Sequence, residues 1–349
     1  LFEAAPSSPP VDWGTKVRQR SFVTAMGAVA ASLAVISMLP ASATAPMGNP
    51  NGPLTNIAIS PDLNCAVNHT GDARGEFFGE TACATGIVAG GVLYRPDSIP
   101  AGGSADPFEA FTPVSQTPMS GTGTSGDPQQ ITTVVTAGTN LRVTEKDSYI
   151  FGNEFYRTDV TLTNNAATPV DVIVYRAGDC FLQDSDDGFA IVGADGSVAC
   201  RGTVTDSNGA TQPGPRIEQW VPITAGSHYF EDYYDTVWAQ MGAQAPFADT
   251  CECDVLQDNG AGLSWALSIP AGGSATVSHL TNFSPQGHAV CTPDGFNSLP
   301  LGGVASGVIA STVEPLVGGV SPSLAGTVHT INCDTVVPLE DQVDALIGG

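Results

Sequence analysis

Apolar and polar positions alternate with a period of two along the middle of the chain. Residues 131–136 are β-branched throughout, and in residues 141–144 Leu and Val alternate with Arg and Thr. Tyr156, Thr158, Val160 and Leu162 fall on one face of an extended segment, and Arg157, Asp159, Thr161 and Thr163 on the other. This is the mark of a half-buried strand, because successive strand side chains point to opposite faces. Residues 170–175 form a second apolar run after a polar connection that ends in Pro169, and the two runs predict a hairpin. Further strands are predicted at 189–192, 217–223, 263–269 and 275–283. The last two flank a hairpin-like turn, Pro270-Ala271-Gly272-Gly273-Ser274. Helical spacing occurs at 228–240, where Tyr229, Tyr233 and Val237 recur, and a second short helix is read at 340–347. Residues 100–128 are low in complexity and read as a loop. They include Gly121-Thr122-Gly123-Thr124-Ser125-Gly126, whose glycine spacing has meaning only after a strand and at the start of a helix.

With no strand–helix alternation, an α/β fold is excluded. The pattern predicts an all-β protein: an antiparallel β-sandwich over 57–290, as one large or two packed units. Residues 46–56 read as a linker and 291–349 as a Gly-rich C-terminal tail.

The N-terminal region has a different pattern. Lys16, Arg18 and Arg20 are followed by an apolar, small-residue run over 22–39, then Pro40 and Ala41-Ser42-Ala43-Thr44-Ala45. A basic start, an apolar middle and an A-x-A site in that order define a secretory signal peptide over 16–45, the alternative being a single membrane anchor. Residues 1–15 read as an upstream extension, with initiation near Val17. No second apolar stretch of spanning length follows, so no membrane span is expected after cleavage. The expected location is secreted, extracellular or associated with a cell surface.

Composition sharpens the choice of partner. Of 349 residues 42% are hydrophobic, and Gly (40) and Pro (26) are abundant, which suits short strands joined by turns. There are 35 acidic against 11 basic residues, a net charge of −24, and Lys16 and Lys146 are the lysines. Such a surface repels phosphate backbones, so nucleic acid is excluded as a partner. The Lys-poor, Ala/Gly/Val/Thr/Asp-rich usage resembles that of bacterial chains of high genomic GC content.

Eight cysteines follow the signal, an even number that in an exported chain reads as disulfides. Pairing of neighbours gives Cys65–Cys83, Cys180–Cys200, Cys251–Cys253 and Cys291–Cys333. The C-x-C pair would close a tight ring, and metal ligation is its alternative.

Two clusters are candidates for chemistry. Asp184, Asp186 and Asp187, close to Asp179, could hold a structural Ca²⁺, although Gly188 comes one position too early for an EF-hand loop and Asp195 stands at the twelfth position. No other cofactor is expected. A solvated acidic turn is the plainer alternative. Trp220, Tyr233, Tyr234 and Trp238 belong to a run of aromatics flanked by Glu218, Glu231, Asp232 and Asp235. Ring faces stack on sugars, and the acids could accept hydroxyl hydrogen bonds; alternatively these rings cap the core against Trp265. The five histidines form no H-E-x-x-H, and no G-x-S-x-G occurs.

Residues 156–164, 174–180 and 263–283, with their Thr-Asn strand end and Pro-Ala-Gly-Gly-Ser turn, resemble the β-sandwich modules of secreted and surface-associated bacterial proteins. The likeness covers about 130–285 and implies a spacer, adhesin or glycan-binding role, some larger sandwiches of this kind binding or processing sugars. The expected function is therefore non-enzymatic: surface interaction or glycan binding, with an extracellular glycan or a cell-envelope component as partner. The alternatives are a secreted glycan-active enzyme with paired carboxylates beside the aromatic cluster, and a purely structural envelope protein.

Overall fold

The computed structural model describes residues 45–283. The chain divides by contact into residues 1–40 and 41–349, and the described residues belong to the second unit. The signal peptide, Cys291–Cys333, the 291–349 tail and the 340–347 helix lie outside them.

The described chain is all-β, with one short α-helix. Strands β1 (Leu54–Ile59) and β2 (Cys65–His69) pair as a small antiparallel sheet. The others are β3 (Cys83–Ala89), β4 (Val92–Arg95), β5 (Phe108–Ala110), β6 (Thr112–Gln116), β7 (Gln129–Ala137), β8 (Leu141–Tyr149) and β9 (Phe155–Asn164). After these come β10 (Val170–Asp179), β11 (Asp187–Val192), β12 (Val198–Thr205), β13 (Thr211–Pro222) and β14 (Ser227–Tyr233). Helix α1 (Tyr234–Gly242) then leads to β15 (Thr250–Cys251), β16 (Gln257–Ile269) and β17 (Ser274–Asn282). Strands β3 to β17 make a single 15-stranded sheet, in the order β5-β4-β3-β10-β16-β11-β12-β13-β17-β9-β8-β7-β6, with β14 beside β16 and β15 beside β14. The pairing is antiparallel except for β4–β5 and β14–β15, which are parallel.

This sheet folds over on itself. Ile87, Val172, Val174, Leu263 and Trp265 from one half share a buried cluster with Val143, Tyr156, Val160, Leu162 and Val277 from the other. On the outer face of the first half, α1 packs Val237, Trp238 and Met241 against Tyr175, Ala177 and Phe230.

The strands stand where alternation predicts them, but their partners differ. Residues 156–163 and 170–175 do not form a hairpin: β9 pairs with β8 and β17, whereas β10 pairs with β3 and β16. The turn at 270–274 likewise joins β16 to β17 across the two halves. Both connections are crossovers, and Asn164 ties them together. Its Nδ2 donates to Thr168 O at 2.8 Å and to Ile269 O and Pro270 O at 3.2 Å each. Alternation fixes which face of a strand is buried and says nothing about its neighbour. Three further readings are corrected. Met47, in the stretch read as a linker, is buried and bridged to Ile57, and the low-complexity segment contains β5 and β6. In the stretch of helical spacing, residues 227–233 are strand β14 and the helix starts only at Tyr234, because pairing with β16 gives that backbone a ladder.

A polar layer lies inside the sandwich. Arg176 of β10 is 1% exposed and reaches the opposite half: its Nη2 donates to Tyr156 Oη at 2.7 Å and its Nη1 lies 3.8 Å from Glu145 Oε1. Thr158 donates to Asp147 Oδ1 at 2.7 Å. Burial raises the carboxyls of Glu145 and Asp147, against the pull of Arg176.

Candidate carboxylate site

Strand register assembles a row of acids at one end of the face that α1 covers. Asp179 of β10 stands directly opposite Gly260 of β16, and Asp232 of β14 stands opposite the same glycine on its other side. Asp258, two residues before Gly260, shares that face and is paired with Asp187 of β11. Residues diagonal across adjacent strands stand about 7 Å apart, so Asp179 and Asp258 are close neighbours. Gly260 is required here: a Cβ at this position would sit 2.7 Å from Gly178 O and 3.2 Å from Tyr234 Cα.

Exposure is graded across the row. Asp187 is exposed, Asp186 and Asp258 are half-buried, and Asp179 is buried. Burial, with Asp258 and Asp186 as like charges, pushes the Asp179 carboxyl up to about 8. The same causes, with Asp186 and Asp187 as the neighbours, push Asp258 up to about 6. Asp186 is raised by partial burial and Asp187, with Arg74 opposing. Among the described residues, Asp179 Oδ1 and Asp258 Oδ1 have no hydrogen-bond partner.

Two aromatic rings stand beside the acids. Tyr233 is 42% exposed, and its ring centroid is 4.7 Å from that of half-buried Tyr234. Tyr233, with the Asp258 and Asp235 charges adding to it, pushes the Tyr234 phenol up to about 12, so it stays a neutral hydrogen-bond donor.

Behind the row lies a second, deeper set of acids. Glu218 of β13 is fully buried and its carboxyl is raised well above the usual range by burial, Glu76 and Asp179; neither of its oxygens has a partner among the described residues. Glu76 is pushed up to about 8, burial outweighing the Arg216 Nη2 donor 2.6 Å away. That same nitrogen donates to Asp72 at 2.7 Å. His69 Nδ1 lies 2.7 Å from Arg216 Nη1 and 2.8 Å from Thr70 O, and its Nε2 lies 2.8 Å from Glu154 Oε2.

The structure therefore separates the sequence candidates. Tyr233 and Tyr234 reach the site. Trp220 and Trp238 are both 0% exposed, packed in the sandwich core and under α1, so they offer no platform to a ligand. Asp186 and Asp187 join the row, whereas Asp184 accepts the backbone N–H groups of Ala73 at 3.1 Å and Arg74 at 2.8 Å. No group of three or more His, Cys, Asp or Glu arranged to hold a metal ion occurs among the described residues. Asp258 was not singled out by sequence. Its pairing with Asp187, about seventy residues earlier, leaves no local signal.

The bridges Cys65–Cys83, Cys180–Cys200 and Cys251–Cys253 are formed, and such bridges suit an oxidising compartment. No helix among the described residues is long and apolar enough to cross a membrane. An open groove of about 580 Å³ lies at the far end of the same strands, about 20–25 Å from Asp179 at strand rise, lined mainly by apolar side chains such as Val88, Val172, Pro246 and Leu267.

Fold and site together define an all-β protein with a carboxylate row on one sheet face. No family model matches the chain, and no curated protein matches its sequence. Solved structures do show similarity. A protein assigned as an aldose 1-epimerase from Klebsiella pneumoniae is 12% identical at a TM-score of 0.35, over 66% of this chain and 77% of its own. The heparan sulfate lyase HepC from Pedobacter heparinus is 8% identical at a TM-score of 0.37, over 71% of this chain and 33% of its own. A protein assigned as a kojibiose phosphorylase from human microbiome is 8% identical at a TM-score of 0.34, over 65% of this chain. This chain spans 24% of that phosphorylase's length.

Two expectations are corrected at this point. The likeness is to distant β-rich proteins with sugar-related assignments, and not specifically to secreted β-sandwich modules. The expected non-enzymatic role also does not stand, because these similar structures carry the assignments of enzymes. The tryptophans on which glycan binding was to rest are buried as well.

Proposed function

We propose that this chain is a glycan-active enzyme that works by carboxylate acid–base chemistry, with Asp179 as proton donor and Asp258 as base. The observation that carries this reading is the pair itself. Two carboxyls on one sheet face have been pushed to different ranges, about 8 and about 6, so that near neutrality one holds its proton and its neighbour has largely lost it. Diagonal positions on adjacent strands stand about 7–8 Å apart at the backbone, a spacing compatible with the carboxyl separations that glycosidic-bond chemistry uses. Tyr233 and Tyr234 supply an aromatic edge for a sugar ring, and the Tyr234 hydroxyl stands as a neutral donor. An oxidising compartment, indicated by the disulfides, is where extracellular glycans occur.

The test is incubation of the purified chain with a panel of polysaccharides and cell-wall preparations, reading released reducing ends and altered sugar products. Product formation that is lost in Asp179→Asn, with the fold retained by circular dichroism, supports the reading. No product on a broad panel, or product undiminished in Asp179→Asn, overturns it.

A further inference from the structure

Among the bridges of the described residues, Cys251–Cys253 differs in three respects from the other two. It joins residues two apart in sequence, whereas Cys65–Cys83 and Cys180–Cys200 span 18 and 20. A ring this short restrains little of the unfolded chain, so holding the fold together is not its main effect. The four other bridged cysteines are buried in the core, while Cys251 and Cys253 are half-buried beside exposed Glu252, Asp254, Val255 and Leu256. Finally, a buried acid is in contact with one of its sulfurs. Glu231 is 1% exposed, pairs with Cys251 across β14 and β15, and places Oε2 3.2 Å from Cys251 Sγ.

Glu231 is held there from several sides. Its Oε2 accepts the Glu252 backbone N–H at 3.0 Å, and Asn259 Nδ2 lies 3.4 Å from Oε1. The far side of the ring is anchored by Ala190 N–H donating to Cys253 O at 3.1 Å. Two thiols released here would remain within reach of each other.

We propose that Cys251–Cys253 is a thiol–disulfide exchange site that oxidises a solvent-borne thiol, with Glu231 giving its proton to the departing Cys251 sulfur. A thiolate attacks Cys253 Sγ. The Cys251–Cys253 S–S bond breaks, a mixed disulfide forms on Cys253, and the electron pair leaves on Cys251 Sγ. That sulfur takes the Glu231 proton, leaving Glu231 a carboxylate. A second thiolate attacks the outer sulfur of the mixed disulfide, releasing the Cys253 thiolate, which is protonated from water. In sum, two thiols become one disulfide and the bridge becomes two thiols. Protonation of Cys251 makes it the better leaving group, which selects Cys253 as the sulfur attacked.

Burial, opposed by Asn259 and the Glu252 N–H, pushes the Glu231 carboxyl up to about 7, so near neutrality it carries the proton about half the time. The charges bearing on it are acids, Asp232 on its own strand and Glu252 beside the bridge. With Asp254 next to Cys253, these acids disfavour an anionic thiol and favour a cationic one.

The test uses the full oxidised chain, exposed to cysteamine or to glutathione from about pH 5.5 to about pH 8.5 (about one and a half units either side of neutrality), then alkylated and read peptide by peptide by mass spectrometry. The expected result is labelling of Cys251 and Cys253 roughly tenfold or more ahead of the buried pairs, faster with cysteamine than with glutathione at equal thiolate. The rate per thiolate should fall above about pH 7, and Glu231→Gln should lower it roughly tenfold and flatten that profile. Equal labelling of all three bridges overturns the proposal. A profile per thiolate that is flat in the wild type also overturns it, and this arm holds even if Glu231→Gln fails to fold. A small thiol that exchanges poorly while a reduced, unfolded cysteine-containing polypeptide exchanges quickly would identify a protein thiol as the donor. Failure of both classes overturns the site.

Discussion

Arg176 on β10 donates to the Tyr156 hydroxyl on β9 at 2.7 Å, from one half of the folded-over sheet to the other. The same guanidinium is the cation for Glu145, 3.8 Å away, in an interior from which water is excluded. Removing one member of such a set leaves the others charged or unpaired. Arg176→Ala is therefore expected to destabilise the fold by about 3–5 kcal/mol. Glu145→Gln, which keeps the shape and removes a carboxyl that burial already disfavours as an anion, should cost much less. Denaturant unfolding of the two variants checks the order.

Activity should follow a bell-shaped pH profile. The proposed base, Asp258, protonates below about 6, and the proposed acid, Asp179, ionises above about 8. Turnover on a glycan substrate is expected to be maximal between these values and to fall on both sides. Asp179→Asn should lower it by about 10²–10⁴-fold. A profile with no alkaline limb in the wild type would contradict the assignment of Asp179.

Stability should fall as the pH rises. Asp179 and Glu76 both have folded values of about 8, above the range an unfolded carboxyl has. Below about pH 4 these groups are protonated in both states and cost nothing. Between about pH 4 and pH 8 the unfolded groups ionise while the folded ones keep their protons, which favours unfolding progressively. Asp179→Asn removes one such group. It is expected to narrow the stability gap between pH 5 and pH 8 by roughly 2–4 kcal/mol, seen in denaturant midpoints at the two pH values.

The tryptophans and the tyrosines should behave oppositely. Trp220→Ala empties a fully buried site against Phe77, with ring centroids 6.4 Å apart, and should cost about 3–5 kcal/mol of stability. Tyr233→Ala trims an exposed ring and should leave stability within about 1 kcal/mol while raising the KM for a glycan. Paired melting and kinetic measurements separate the two effects.

Much of the β structure was readable from alternation. The segment 156–163 shows its buried face directly, because a strand half in water must repeat every second residue. Partner choice was not readable. β9 and β10 are neighbours in sequence joined by a turn-like connection, yet each pairs with strands far away, a choice made by burial between the two halves. The site divides in the same way. Tyr233 and Tyr234 announce themselves as an aromatic cluster, and Asp186 and Asp187 as an acidic one. That they meet around Gly260 depends on the register of β16 with β10, β14 and β11, which no local pattern encodes. The tryptophans misled because composition marks an aromatic run without telling which rings point inward.

The position of β16 and β17 governs when this molecule can exist as a folded body. These two strands sit between β10 and β11 and between β13 and β9. Without them the long sheet is four separate pieces, β5-β4-β3-β10, β11-β12-β13, β9-β8-β7-β6 and β14-β15, each with open edges. Yet they come from residues 257–282, late in the described chain. Pairings this distant in sequence are slow to close, so the pieces cannot join into one sheet until Asn282 has been made. A nascent chain of this design holds separate small sheets with open edges for most of its synthesis, and the whole body closes only at the end.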